Sequence, residues 1–201
     1  MPEYSANFES LAGVYRLLAA FWGEELTTAQ LKLLDASQAA ELWQALGGMD
    51  PRTSGHSLDD LAETYCRLFI GPTGHISPIQ SVWTSGELQS HVVKGVTEFA
   101  SICQYTSPWQ GMLPDHLANE LQVMAVILEA IPSVSSATDV RDAADLARGF
   151  RNQHLRWPVP FFDQVMSRDA DGFYGSLARL TSEFLADESL HNFEIKPHQH
   201  L

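Results

Sequence analysis

Three side chains that could do chemistry lie close together in the sequence: Asp115, His116 and Glu120. His116 and Glu120 are four positions apart, so on a helix they would share one face and could bind a metal ion together. Only two ligands converge there, and the Glu-x-x-His pairs that bind iron in helical bundles are absent from the sequence. The spacing therefore favours a local hydrogen-bonded pair over a metal site. A small hydrolase that uses Asp115 and His116 is a further alternative.

The other candidate reactive groups are two cysteines and the histidines near the C-terminus. Cys66 and Cys103 lie inside apolar helical patterns and lack Cys-x-x-Cys spacing, which predicts buried, reduced thiols. His191, His198 and His200 belong to a polar tail that we expect to fray, where metal binding would be weak. The chain has no Gly-x-x-x-x-Gly-Lys phosphate loop and no Gly-x-Ser-x-Gly nucleophile elbow. We therefore expect neither catalysis nor a resident metal or cofactor.

The element that must position Asp115 and His116 is an apolar segment at residues 114–131. Pro114 suits the first turn of a helix, where its missing N–H is not needed, and Asp115 adds a negative charge where the helix dipole favours one. Beyond them, apolar side chains recur at alternating steps of four and three, at Leu117, Leu121, Met124, Leu128 and Ile131. This face, widened by further valines and isoleucines, predicts a buried helix at the centre of a bundle.

The rest of the chain also shows helical periodicity, and no window alternates between apolar and polar residues as a strand would. The first helical stripe comprises Phe8, Leu11, Tyr15, Leu18 and Trp22. Ser57, followed three residues later by Asp60, resembles a capping box at the start of another helix. We therefore predict an all-α fold, with a single helical domain at residues 1–188 and a polar tail at residues 189–201.

Charge and composition limit the classes of partner. The 201 residues include 25 acidic and 12 basic side chains, which gives a formal net charge of −13. Such a charge argues against nucleic acid and anionic membranes, and it favours basic partners. Residues 1–5 carry neither the basic nor the hydrophobic region of a secretory signal, so we expect a cytoplasmic protein. The most apolar segment is too short and too polar at its start to span a bilayer, which excludes an integral membrane protein.

Two irregular segments concentrate the remaining polar and aromatic residues, at residues 68–83 and 113–117. The first contains most of a loop at residues 71–84, and ordered loops of that length inside a helical domain are usually functional. A structural alternative is that its proline and isoleucine side chains plug the end of the bundle. The two segments together are the predicted functional region.

The same two segments carry a family resemblance. Residues 68–83 contain the run Leu-Phe-x-Gly-Pro…Ser-Pro…Ser-Val-Trp, and residues 114–121 read Pro-Asp-His-Leu-x-x-Glu-Leu. This combination resembles the TorD/DmsD branch of the redox-enzyme maturation chaperones, which also includes NarJ-type proteins. His154 and Trp157 are similar to the His-x-x-Trp segment of that family, and the resemblance extends over about residues 5–187.

The resemblance implies an all-helical, cytoplasmic, non-catalytic chaperone. Members bind the twin-arginine signal peptide and the apoprotein of a molybdopterin oxidoreductase, usually of the dimethyl-sulfoxide or trimethylamine-N-oxide reductase type. They aid cofactor insertion and delay export through the Tat pathway, so molybdopterin would belong to the client enzyme. Carried over by motif, the candidate signal-peptide-binding residues are Trp22, Gly71, Pro72, Ser77, Pro78, Ser81, Trp83, Asp115 and His116.

The chemistry of such a signal peptide supports the choice of Asp115. A twin-arginine leader offers two guanidinium groups beside an apolar segment, and arginine pairs bidentately with carboxylates. Its receptor therefore needs a carboxylate at the mouth of an apolar groove. Asp115 would supply that charge, and the groove wall would consist of Trp22, Ile76, Pro78 and Trp83.

Several alternatives stay open at the level of the sequence. Thr73, Ile79 and Met112 depart from residues common in the family, so the sequence defines neither the preferred leader nor the client enzyme. A GTP-regulated adaptor is another function to consider, although no phosphate loop supports nucleotide binding. The connections at residues 132–137 and 158–160 are hinge-like, so a monomer could exchange helices and form a domain-swapped dimer.

Overall fold

The computed structural model of the chain describes residues 3–35, 37–53, 57–133, 136–191 and 193. Its helices are α1 (Glu3–Gly23), α2 (Thr28–Leu33), α3 (Ser37–Ala45), α4 (Leu58–Tyr65), α5 (Gln80–Ser85), α6 (His91–Ile102), α7 (Leu117–Ala130), α8 (Ala137–His154), α9 (Val159–Arg168) and α10 (Phe173–Ala186). A π-helix, Cys66–Ile70, continues α4, and 3-10 turns occupy Pro51–Thr53 and Ile131–Ser133. These described residues contain no strand. Ile79 and His116 form an isolated antiparallel β-bridge. The predicted all-α fold is confirmed.

Helix α7 forms the centre of the fold. Ten of its fourteen residues are buried, and its leucines have no exposed surface. Helix α1 packs along α7 and buries the whole of its predicted apolar stripe. Removing this much apolar side-chain surface from water is the main stabilising contribution to a helical bundle. The predicted position of this helix at the centre of the bundle is confirmed.

The beginning of α7 differs from the prediction. The helix starts at Leu117 with His116 as its N-cap, whereas Pro114 and Asp115 lie in the turn before it. The Nδ1 atom of His116 accepts a hydrogen bond from the backbone N–H of Ala118 at 3.1 Å. Proline fits a turn as well as the first helical positions, so Pro114 does not by itself locate the start of a helix.

Helix α4 begins as predicted. The backbone N–H of Asp60 donates to Oγ of Ser57 at 3.2 Å, and the N–H of Ser57 donates to the carboxylate of Asp60 at 2.8 Å. This reciprocal capping box gives partners to backbone N–H groups that the start of a helix leaves unpaired. After α4 the chain leaves α geometry in the π-helix, where the N–H of Gly71 donates to the carbonyl of Cys66 at 2.8 Å.

The expectation that the chain frays after residue 188 is wrong for the first part of the tail. His191 and Phe193 are buried. The hydroxyl of Tyr15 lies 2.8 Å from Nε2 of His191, and the ring centroid of Phe193 lies 6.4 Å from that of Phe8. Periodicity did not reveal this contact, because single aromatic anchors leave no repeating pattern. His198 and His200 lie outside the described residues.

The expected burial of both thiols is also wrong. Cys66 is exposed and Cys103 is only partly buried, although burial still raises the pKa of the Cys103 thiol. The buried face of α4 runs through Leu61 and Tyr65. Because each helical residue rotates by about 100°, Cys66 lies to one side of that face.

Two further expectations concern membranes and oligomers. None of the helices in the described part of the chain is long and apolar enough to cross a membrane. The hinge at residues 132–137 lies partly outside the described residues, so the domain-swapped dimer stays a prediction.

Replacing Leu121 with alanine should lower the free energy of unfolding by about 2–5 kcal/mol, because the side chain has no exposed surface and its removal leaves a cavity. Chemical denaturation measures this loss. The matched control is Leu88→Ala, the same change at a side chain that is 61% exposed, which should alter stability by about 0.5 kcal/mol or less. Equal denaturation midpoints for the two variants would contradict the central position of α7.

Candidate functional site

The loop between the π-helix and α5, residues 71–79, lies against the turn that precedes α7. The backbone N–H of Gln80 donates to the carbonyl of Asp115 at 2.9 Å. In the opposite direction, the N–H of Leu117 donates to the carbonyl of Pro78 at 2.9 Å. The structure thus brings together the two irregular segments that were predicted to form one region.

Asp115 has no exposed surface, whereas its predicted role placed its charge at the mouth of a groove. Its Oδ2 atom accepts a hydrogen bond from the backbone N–H of Ser81, in the first turn of α5, at 2.9 Å. Among the described residues, its Oδ1 atom has no hydrogen-bond partner. The carboxylate therefore caps a helix that belongs to a different segment, and so ties the loop to the turn.

Glu120 does not form the predicted pair with His116. Its Oε2 atom instead accepts a hydrogen bond from the indole Nε1 of Trp157 at 2.7 Å. Burial raises the pKa of Glu120 well above its ordinary value of 4.5; the Trp157 bond opposes this shift, and the nearby charge of Asp115 adds to it. Glu120 is therefore held in its uncharged form at pH values where an exposed glutamate is ionised.

His154 joins this buried group from the end of α8. Its Nδ1 atom lies 2.9 Å from Oε1 of Gln80, and Nε2 of Gln80 donates to the carbonyl of Gln153 at 2.8 Å. Burial lowers the pKa of His154 to about 4, against the opposing effect of Asp115. Gly95 on α6 makes room for the imidazole, because a Cβ there would lie 3.0 Å from its Cε1 atom. The start of α5 is thus fixed against α8 as well as α7.

Gln80, Glu120 and His154 were not among the candidate signal-peptide-binding residues carried over by motif. The His-x-x-Trp segment was the available signal, since its histidine contacts Gln80 and its tryptophan contacts Glu120. These contacts join residues 74 and 37 positions apart. Spacing within one segment does not reveal a partner that far away along the chain.

The hydrolase alternative needs Asp115 and His116 to face a substrate together. Both side chains are buried, and each accepts a hydrogen bond from a backbone N–H. Burial lowers the pKa of His116 to about 4. In the described part of the chain, no group of three or more His, Cys, Asp or Glu side chains could hold a metal ion. This geometry indicates that both side chains stabilise the local backbone and do not face a substrate together.

The accessible candidates lie on the loop and, in one case, on the adjoining helix α5. Pro72 is exposed, and partly exposed side chains or backbone are found at Gly71, Ser77 and Pro78 of the loop and at Trp83 of α5. The indole Nε1 of Trp83 donates to the carbonyl of Ser77 at 2.7 Å, which ties the loop to α5. This surface is where the loop can meet a partner molecule.

Trp22 and Ser81 lie beneath that surface. Trp22 is 2% exposed, and its Nε1 atom donates to Oγ1 of Thr181 at 3.0 Å. The ring centroid of Trp22 lies 5.3 Å from that of Phe161. The Phe161 centroid in turn lies 6.2 Å from the ring centroid of Trp83. Trp22 therefore supports the loop through the aromatic core, and does not line an open groove as predicted.

Comparisons with known proteins agree with the family resemblance. The profile of the family described as "Nitrate reductase delta subunit" matches residues 31–163. The chain belongs to this family, which contains the NarJ- and TorD-type proteins.

Two relatives match more than four fifths of the chain. "Chaperone protein TorD" of Shewanella sp. (strain ANA-3) is 28% identical over 187 residues, which cover 84% of this chain and 87% of that protein. "Chaperone protein TorD" of Aeromonas salmonicida (strain A449) is 25% identical over 218 aligned positions and covers 98% of both chains. Both carry the name of a chaperone rather than of an enzyme.

A solved structure has the same fold. It is the crystal structure of a protein from Archaeoglobus fulgidus described as a redox enzyme maturation protein. Its TM-score to this chain is 0.56 at 18% sequence identity, over 88% of this chain and 93% of that one.

Removing the carboxylate with Asp115→Ala should lower the free energy of unfolding by about 1.5–3 kcal/mol, because a buried N–H would lose a charged acceptor. Urea denaturation checks the value. The control is Asp142→Ala at an exposed position of α8, which should change stability by about 0.5 kcal/mol or less. Full stability of Asp115→Ala would show that the carboxylate does not cap α5.

The raised pKa of Glu120 predicts a dependence of stability on pH. Above pH 4.5 the unfolded chain loses a proton that the folded protein keeps, so this group lowers stability as pH rises. Glu120→Gln retains an acceptor for Trp157 and cannot ionise. Its stability relative to the wild type should therefore increase as the pH rises above 4.5.

Thermal or chemical denaturation across that pH range measures the difference. The matched control is Glu183→Gln, the same change at an exposed position of α10. A difference between Glu120→Gln and the wild type that stays constant with pH would show that Glu120 is ionised in the folded protein.

Proposed function

We propose that the chain is a cytoplasmic chaperone for the maturation of a molybdopterin oxidoreductase of the dimethyl-sulfoxide or trimethylamine-N-oxide reductase type. It binds the twin-arginine signal peptide and the apoprotein of this client, aids cofactor insertion and delays export through the Tat pathway. The observation that carries the proposal is the end-to-end similarity to proteins named TorD, one of which is matched over 98% of both chains.

The charge of the chain supports a basic partner. Acidic side chains outnumber basic ones by 25 to 12. A surplus of one sign attracts an oppositely charged peptide over a distance and raises the rate of encounter, an effect that salt screens. A twin-arginine leader has the complementary charge.

The loop supports the proposal through its exposure and its rigidity. Pro72, Ser77, Pro78 and Trp83 can contact a partner at the surface. The loop, which carries all of these residues except Trp83 of α5, has its C-terminal end bonded to α7 and to the turn before it. A surface that is already ordered loses less conformational entropy when it binds. We assign direct contact with the client to these accessible residues.

The buried candidates take a different role in the proposal. Asp115 and His116 are buried and accept hydrogen bonds from backbone N–H groups. Ser81 is buried and donates its own backbone N–H to Asp115, and Trp22 lies in the aromatic core. They hold the loop and α7 in position. Substituting them would therefore affect client binding indirectly, by changing the structure of the loop.

A synthetic twin-arginine leader should bind the purified protein, and replacing both of its arginines with lysine should weaken binding by about 1.5–3 kcal/mol, the range for a hydrogen bond to a charged group. Lysine cannot reproduce the bidentate geometry of a guanidinium on a carboxylate. Added salt should weaken the binding without abolishing it, because charge attraction is screened and apolar burial is not. Isothermal titration calorimetry gives these affinities.

Equal affinity for the arginine and lysine leaders would show that bidentate pairing between guanidinium and carboxylate does not contribute to binding. Affinity capture from lysate of the native cell, with the bound proteins identified by mass, tests the client independently. Recovery of a molybdoenzyme precursor is the expected result, and consistent recovery of unrelated proteins would argue against a dedicated chaperone.

A further inference from the structure

A groove of about 610 Å³ lies between α1, α7 and the segment around Trp109. Its described lining includes Glu9, Leu17, Ala20, Leu33, Trp109 and Glu129. This lining contains none of the residues carried over from the family motifs. Clefts of this size are typical of sites that bind ligands or anchoring side chains of a partner.

The floor and walls of the groove are largely apolar. Leu17 and Ala20 are three positions apart on α1 and therefore share one helical face. Leu33 on α2 also lines the groove, although it is an apolar residue that is 41% exposed. The indole of Trp109 packs on Gly23, where a Cβ would come within 2.4 Å of its ring atoms. The close packing on Gly23 fixes the tryptophan at one wall of the groove.

Carboxylates are found on both long helices of the groove. Glu9 on α1 is exposed. Glu129 on α7 forms an ion pair with Arg16, and the two side chains are 34% and 48% exposed. Exposed ion pairs contribute little to stability, so the guanidinium of a partner can replace that of Arg16 at low cost.

We propose that this groove receives the apolar stretch of the client's twin-arginine leader, with the leader's arginines at Glu9 and Glu129. The inference rests on the proposed function, namely that the chain binds such a leader. That leader requires carboxylates beside an apolar groove. Asp115, which was predicted to provide the carboxylate, is buried, whereas the groove on α1 presents the same combination to solvent.

The charge of the molecule distinguishes this occupant from a second copy of the chain. Two copies with a net charge of −13 each would repel one another, whereas a leader with adjacent arginines is attracted. A leader that folds as an amphipathic helix would lay its apolar face on α1 and keep its basic end at the glutamates. The groove therefore provides a place for both parts of the leader.

The test is titration of a fluorescently labelled twin-arginine leader against the wild type and Ala20→Arg. The substitution puts a long cationic side chain on the groove floor, which both fills the space and repels the leader. The matched control is Ala62→Arg, the same change at a partly exposed position of α4. Ala20→Arg should bind the leader roughly tenfold more weakly or worse, while the control binds like the wild type.

A second variant tests the charges separately and covers the case in which Ala20→Arg fails to fold, as judged by circular dichroism. Glu9→Gln combined with Glu129→Gln keeps the shape of the groove and removes its carboxylates. This variant should bind the leader more weakly than the wild type and show a smaller loss of affinity on adding salt. Wild-type affinity and salt dependence in this variant would overturn the placement of the arginines.

The outcomes separate this inference from the proposed function. If the wild type binds the leader and Ala20→Arg binds it equally well, the groove is not the site, and the proposed function stands. If the wild type binds no twin-arginine leader, the proposed function itself fails. If light scattering shows a wild-type dimer that Ala20→Arg disrupts, the groove belongs to a second copy of the chain and the inference is overturned.

Discussion

The buried hydrogen bond between the carboxylate of Asp115 and the N–H of Ser81 is the contact on which the arrangement of the loop depends. It joins the turn before α7 to the start of α5, across 34 positions of the chain. If the loop moved away, a buried carboxylate and a buried N–H would both lack a partner, and unpaired buried groups cost more free energy than a formed bond contributes. The geometry of the exposed loop is thereby tied to the most buried helix of the fold.

The groups around Asp115 are compatible with its burial because they carry little charge of their own. Glu120 is held protonated, which avoids a second negative charge close by. Burial lowers the pKa of both His116 and His154 to about 4, so both imidazoles are neutral at ordinary pH. Neutral partners can hydrogen-bond without the desolvation cost of buried ions. This chemistry explains how several titratable residues fit inside one core.

The sequence predicts the bundle well because apolar spacing is a local property. Leu117, Leu121 and Leu128 mark the central helix without reference to any other segment. The motifs predicted that the two irregular segments form one region, and the structure brings these segments together. The motifs did not predict how exposed each residue is, since Asp115 and Ser81 face inward. Motifs identify residue types at fixed spacing, whereas burial depends on which distant segment packs on top. For the same reason the groove on α1, which α7 and the segment around Trp109 complete, has no continuous signature in the sequence.

The π-helix Cys66–Ile70 gives the loop a property of its own. A π-turn holds one residue more than an α-turn, so the chain keeps an additional residue coiled directly ahead of the loop. Within this coil the carbonyl of Leu68 accepts a hydrogen bond from the N–H of Ile76 at 2.7 Å. At the far end of the loop, the N–H groups of Gln80 and Leu117 donate to the carbonyls of Asp115 and Pro78. The loop is therefore held at both of its ends, and the shape of its exposed surface depends on the π-helix as much as on the turn before α7.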